Sequence, residues 1–63
     1  MTQKELLYVE DAITHEQTII TDLNESMNLV EEDLKQFFES QIEKHTQTKQ
    51  NLINLMEEVS NEW

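Results

Sequence analysis

The chain has 63 residues and a formal net charge of −10, from 14 acidic and 4 basic residues. A domain this small buries only about 60% of its unfolded surface, so it usually needs a disulfide, a metal or a partner chain. The lack of cysteine excludes a disulfide. The negative charge disfavours binding to nucleic acid and anionic membranes. The lack of Gly and Pro disfavours tight β-hairpins and phosphate-binding loops.

The first residues, MTQKELLYVED, resemble no secretory signal, because they contain neither a basic region nor a long apolar run. No stretch of the sequence approaches the roughly 18 apolar residues of a membrane-spanning helix. We therefore expect a cytoplasmic protein that does not bind membranes, and nothing in the composition implies a cofactor.

The first predicted helix covers residues 3 to about 26. Thr2 and Glu5 have the spacing of a capping box at a helix N-terminus. Apolar residues then recur every three or four positions, which is the pattern of an amphipathic helix. The stripe comprises Leu6, Val9, Ile13, Ile20, Leu23 and Met27, and it is interrupted once, by Glu16.

The second predicted helix covers residues from about 30 to about 60. Its stripe comprises Leu34, Phe38, Gln41, His45, Thr48, Leu52, Leu55 and Val59, flanked by Phe37, Ile42 and Met56. Between the helices, a turn is predicted at about residues 25–30. Asn28 and Glu31 have the spacing of a second capping box, and Glu31, Glu32 and Asp33 place negative charge where a helix N-terminus favours it.

A single continuous helix is the alternative to this break, since the apolar pattern runs almost in phase through the predicted turn. The cluster of Asn24, Ser26 and Asn28 favours the break, because these residue types prefer caps to helix interiors. We therefore predict an all-α fold, an antiparallel two-helix hairpin.

The polar interruptions of the two stripes fall at one level of this hairpin. Folding the chain about residues 28–31 places Glu16 opposite His45, with apolar residues facing each other at both ends. Because two helices cannot enclose a core, we expect two hairpins to form a homodimeric four-helix bundle. Its interior polar layer would comprise Glu16, Gln41, His45 and Thr48, while His15 lies off the stripe and is predicted to be solvated.

The sequence resembles the spore coat protein F-like proteins of endospore-forming bacteria. The similarity lies in Lys4-Glu5-Leu6-Leu7, in Glu16 within the first helix, and in Glu43 and His45 within the second; Asn54, Met56 and Trp63 complete it. The chain departs from that family where Lys44, rather than an acidic residue, precedes the histidine. The resemblance implies a ferritin-like helical hairpin and a role in spores, and no defined catalytic activity.

The sequence contains partial patterns of a metal site and of a regulatory site. Ferritin-like metal bundles use Glu-x-x-His, but Ile42 stands where that Glu should be. If any metal binds, Glu16 and His45 are its ligands. Hairpin regulators of sporulation phosphorelays carry Ser-Gln-x-x-Asp, but Lys44 replaces the Asp after Ser40 and Gln41. No pattern indicates a catalytic site.

The prediction for function is a non-enzymatic structural or protein-interaction module. It is expected to act as a homodimer, with other proteins as further partners. Trp63 is predicted either to cap one end of the bundle or to contact another protein.

Overall fold

The computed structural model describes residues 1–60, which form two antiparallel α-helices, α1 (Gln3–Met27) and α2 (Glu32–Ser60). The molecule is long and thin, with extents of 48 × 15 × 10 Å. The predicted hairpin is therefore confirmed, and the continuous helix is excluded. Neither described helix combines the length and the apolar character that crossing a membrane requires. Asn61, Glu62 and Trp63 lie outside the described residues, and with them the prediction for Trp63.

The capping box that starts α1 forms as predicted. The Thr2 hydroxyl accepts a hydrogen bond from the Glu5 N–H at 3.1 Å, and the Glu5 carboxylate accepts one from the Thr2 N–H at 2.8 Å. Both hydrogen bonds with Thr2 lower the pKa of Glu5 below its ordinary value. The bond from the Thr2 backbone N–H has the larger effect, and the bond with the Thr2 side chain adds to it.

The second predicted capping box, at Asn28 and Glu31, is wrong. Asn28 instead ends α1 as its C-cap, and its side-chain amide donates to the Asn24 carbonyl at 3.4 Å. The turn runs from Asn28 to Glu31, so α2 begins two residues later than predicted. The carbonyl of Glu31 accepts the first bonds of α2, from the N–H groups of Leu34 and Lys35. An Asn can satisfy either end of a helix, and the pattern alone could not choose between them.

The contact between the helices keeps the centre of the predicted stripe of α2, where Phe38, His45 and Leu52 are half-buried, but it extends further to one side. Ile42, Lys49 and Met56 are half-buried, whereas the predicted stripe residues Leu34, Thr48 and Leu55 are exposed. Ile42, Lys49 and Met56 each follow a predicted stripe residue by one position, so the contact face is rotated by less than the roughly 100° between neighbouring residues. This rotation brings Ile42 and Met56 towards α1, and aliphatic burial is favourable. Val59, at 8% exposed, is the one hydrophobic side chain that is buried among the described residues.

Replacing Thr2 tests the cap at the start of α1. Thr2→Ala removes the hydroxyl acceptor and frees the first turn to fray, so the pKa of Glu5 should rise towards its ordinary value. An Asp or Glu with a lowered folded-state pKa contributes stability above its unfolded pKa, and this contribution is lost as the pH falls through the folded pKa. The variant should therefore lose less stability on acidification than the parent.

An NMR titration of the Glu5 side chain measures this pKa directly. Thr46→Ala, which changes an exposed residue of the helix interior, is the control and should leave the titration of Glu5 unchanged. An unchanged Glu5 pKa in Thr2→Ala would contradict the role of the capping box.

Candidate functional site

Glu16 and His45 meet in the middle of the hairpin. Oε2 of Glu16 lies 2.5 Å from Nδ1 of His45. An ionised carboxylate can only accept hydrogen bonds, so with Glu16 ionised the contact requires a proton on Nδ1 of His45, which donates it. The Glu16 side chain is 17% exposed and the His45 side chain 30%. The polar interruptions of the two stripes thus form one contact, as the antiparallel register predicts.

The other two members of the predicted polar layer lie beside this contact rather than within it. Gln41 is half-buried, and Thr48 is exposed, with its hydroxyl donating to the Lys44 carbonyl at 3.0 Å. A Thr that bonds the carbonyl four residues earlier satisfies its polar group within its own helix. In the single hairpin, therefore, Thr48 does not belong to an interior polar layer. The Glu16–His45 contact is the central polar contact between the two helices. His15 is exposed, as predicted.

The sequence pattern did not predict a second polar contact between the helices, which Gln17 and Lys49 form. Nζ of Lys49 donates to Oε1 of Gln17 at 2.5 Å, which joins the two helices a second time. At about 100° per residue, Gln17 lies to one side of Glu16, and Lys49 lies to the same side of His45. The contact therefore occupies one edge of the hairpin. The available signal in the sequence was that Gln17 follows Glu16 by one residue and Lys49 follows His45 by about one helical turn.

The opposite edge of the hairpin is apolar. We call it the apolar face; it comprises Tyr8, Ala12 and Ile19 from α1 and Leu34, Phe37 and Leu55 from α2. The helical repeat places these residues on the side away from Gln17 and Lys49. Four of them are large and 40 to 59% exposed: Tyr8, Leu34, Phe37 and Leu55. Gln41 and Thr48 lie in the middle of this face, between Phe37 and Leu55.

The residues present do not fit a di-metal centre. Glu16 and His45 supply one carboxylate and one imidazole per chain, half of the four ligands of a tetrahedral zinc site. Within residues 1–60, no three side chains of the metal-binding types gather in one place. Glu43, the nearest acidic residue before His45 in the sequence, is exposed and lies about 200° from it around the helix.

A shallow groove on the outside of α2 is lined by Ile42, Glu43, Thr46, Gln47 and Gln50. All of these residues belong to one helix, so the groove lacks groups converging from several elements, which ligand and active sites usually have. The geometry of the described residues thus supplies a structural polar contact and an exposed apolar face.

Comparisons of the chain with models of protein families, with curated proteins and with solved structures find no match.

A double-mutant cycle on Glu16 and His45 measures how strongly the contact couples the two helices. His45→Leu alone leaves a half-buried carboxylate without its donor, and should lower the free energy of unfolding by about 1–3 kcal/mol. Glu16→Leu together with His45→Leu should recover much of this loss, because apolar replacements of a buried pair are often as stable as the pair. We expect a coupling energy of about 0.5–3 kcal/mol.

Chemical denaturation at one fixed protein concentration provides the free energies. The matched control is the cycle of Glu16→Leu with His15→Leu, since His15 neighbours Glu16 in sequence but is exposed; its coupling should stay below about 0.5 kcal/mol. Additive losses for Glu16 and His45 would show that the contact does not hold the helices together.

Proposed function

We propose that the protein is a non-enzymatic structural or protein-interaction module that works as a homodimeric four-helix bundle. The observation that carries the proposal is the apolar face. Its large exposed members form two groups, Tyr8 with Leu55 at one end of the hairpin and Leu34 with Phe37 at the other. Scattered single apolar residues on a surface are ordinary, but apolar residues grouped along one edge of a molecule mark an interaction site.

The solvent-accessible area of the chain exceeds that of a compact protein by about the area that a second hairpin would cover. The chain exposes 4878 Å², whereas a compact protein of its mass exposes about 4,250 Å². The excess of about 600 Å² per chain is close to what each partner contributes to a specific interface. Two copies that cover this excess would bury about 1,200 Å² together, at the lower end of stable interfaces.

The small size of the chain favours a second copy as the occupant of the apolar face. A two-helix hairpin cannot enclose a core by itself, and chains of this length usually gain one from a partner. The distribution of charge does not select the occupant, because acidic residues border the face as well as the outer side of the hairpin. By helix rotation, the exposed acidic residues within about 90° of the face are Glu5, Asp11, Asp22, Asp33 and Glu58, and those beyond it include Glu10, Glu25, Glu39, Glu43 and Glu57.

Sedimentation equilibrium at micromolar concentrations tests the proposal. We expect a dimer, and a melting temperature that rises with protein concentration because dimer formation stabilises the folded chain by mass action. Phe37→Glu places a charge in the apolar face and should shift the equilibrium to monomer, since an unpaired charge is costly to bury.

Gln36→Glu is the control, because it adds the same charge one residue away on the exposed outer side of α2. It should remain dimeric. A compact parent monomer, or equal dissociation of both variants, would refute the proposed use of the apolar face.

The resemblance to spore coat protein F-like proteins extends the proposal to endospores, where a helical bundle would serve as a coat-associated component. Quantitative mass spectrometry of purified spores and of vegetative cells from the source organism tests this location. We expect the chain to be enriched in spores, in proportion to known coat proteins. Equal abundance in vegetative cells would favour a general cytoplasmic role for the same module.

A further inference from the structure

We infer that the second copy covers the apolar face with its turn at the opposite end of the bundle, so that α1 packs on α1 and α2 packs on α2 of the second copy. This arrangement rests on the proposed homodimer and specifies its interface. The position of the apolar residues along the hairpin, relative to the level of the Glu16–His45 contact, supports it.

Glu16 and His45 lie close to the midpoints of α1 and α2, so their contact places the two midpoints at the same level of the hairpin. On α1, Ala12 and Ile19 lie almost equally far before and after this level. On α2, Phe37 lies eight residues before His45 and Leu55 lies ten residues after it. Because the two are separated by a whole number of turns at 3.6 residues per turn, they share one edge of the helix. One apolar pair on each helix is thus distributed almost symmetrically about one cross-section of the hairpin, whereas Tyr8 and Leu34 lie outside these pairs.

A two-fold axis through this level, perpendicular to the helices, exchanges the members of each pair. It places Phe37 against Leu55 of the second copy, and Ala12 against Ile19 of the second copy. A large side chain meets a smaller one in both pairs, which allows close packing without a cavity. The two pairs lie on different helices, yet a single axis satisfies both.

The polar residues of the apolar face also find suitable neighbours under this axis. Gln41 lies at the level of Asn51 of the second copy, and Thr48 lies at the level of Lys44 of the second copy. The amide groups can bond to each other, and the aliphatic stem of the lysine can cover the interface while its ammonium group reaches solvent. The predicted polar layer is thereby extended from the Glu16–His45 contact into the interface between copies.

The alternative arrangement, with both turns at the same end, matches the faces poorly. In it, α1 would pack on α2 of the second copy at equal levels. Ile19 would then lie against Gln41, and Ala12 against Thr48. An apolar side chain would cover a polar one at both places, which leaves polar groups buried without partners.

The acidic residues near the turn disfavour the alternative as well. Five acidic side chains lie at this end of the hairpin: Asp22, Glu25, Glu31, Glu32 and Asp33. Among the described ion pairs, Lys35 and Glu32 approach to 3.7 Å, which compensates one of these charges. Turns at the same end would bring both acidic groups together. Turns at opposite ends separate them by far more than the Debye length of about 10 Å at 0.1 M salt.

A spin-label distance between the two turns distinguishes the arrangements. The sequence has no cysteine, and Leu29 is 87% exposed at the tip of the turn, so Leu29→Cys accepts a single nitroxide without disturbing the helices. Residue 29 lies about 20 Å along the helix from the level of Glu16, so opposite turns place the two labels about 40 Å apart. Turns at the same end would place them within about 10–25 Å, given helix spacings of 8–10 Å.

Pulsed electron–electron double resonance on the labelled full chain measures this distance. The control label, at Thr46→Cys, lies at the central level on the exposed side of α2 and should report a distance between copies in either arrangement. Dilution with unlabelled chain should weaken both signals, which shows that the distances are between copies. A peak near 40 Å from the turn label supports the inference.

The other outcomes overturn the inference in distinguishable ways. A short turn-to-turn distance, with the control signal present, refutes the opposite-end arrangement and leaves the homodimer in place. The absence of a distance from both labels refutes the homodimer itself, and the inference with it.

Discussion

The structure depends on one constraint, which is that each helix of a two-helix hairpin has a single neighbour. One contact face per helix can be covered, and any further apolar surface must remain in water. In this chain the apolar stripe of each helix is wider than one contact face. The hairpin covers Ile42 and Met56, among others, and leaves Phe37 and Leu55 on an exposed edge. The surface in excess of a compact protein follows directly from this geometry.

Within that constraint, the Glu16–His45 contact fixes how the helices are aligned. A purely apolar stripe tolerates shifts by a helical turn, because apolar contacts are not directional. A carboxylate and an imidazole in the middle of two stripes are satisfied in one alignment only, since a shift would leave each partly buried group without a partner. This is the physical reason for a charge inside an apolar stripe, and it resembles the role of buried polar residues in coiled coils.

The same alignment gives part of the apolar face its symmetry. Because the contact joins the midpoints of the two helices, the pairs Ala12–Ile19 and Phe37–Leu55, which are placed nearly evenly about each midpoint, also lie nearly evenly about one cross-section of the molecule. A surface with such symmetry is self-complementary under a two-fold axis, which is the requirement for an isologous dimer. The alignment of α1 with α2 therefore has two consequences. It pairs Glu16 with His45 inside the hairpin, and it positions the residues of the proposed interface on the outside.

The sequence by itself determined the helices, the capping box of Thr2 and Glu5, the hairpin and the pairing of Glu16 with His45. These features depend on local periodicity and on the short distance around a turn, both of which are visible in the order of residues. Only the tertiary structure decided that Asn28 ends α1 instead of starting α2, and that α2 turns Ile42 rather than Thr48 towards α1. Neighbouring positions of a wide apolar stripe are nearly equivalent in pattern, and they are distinguished only by the area that each buries once the second helix is present.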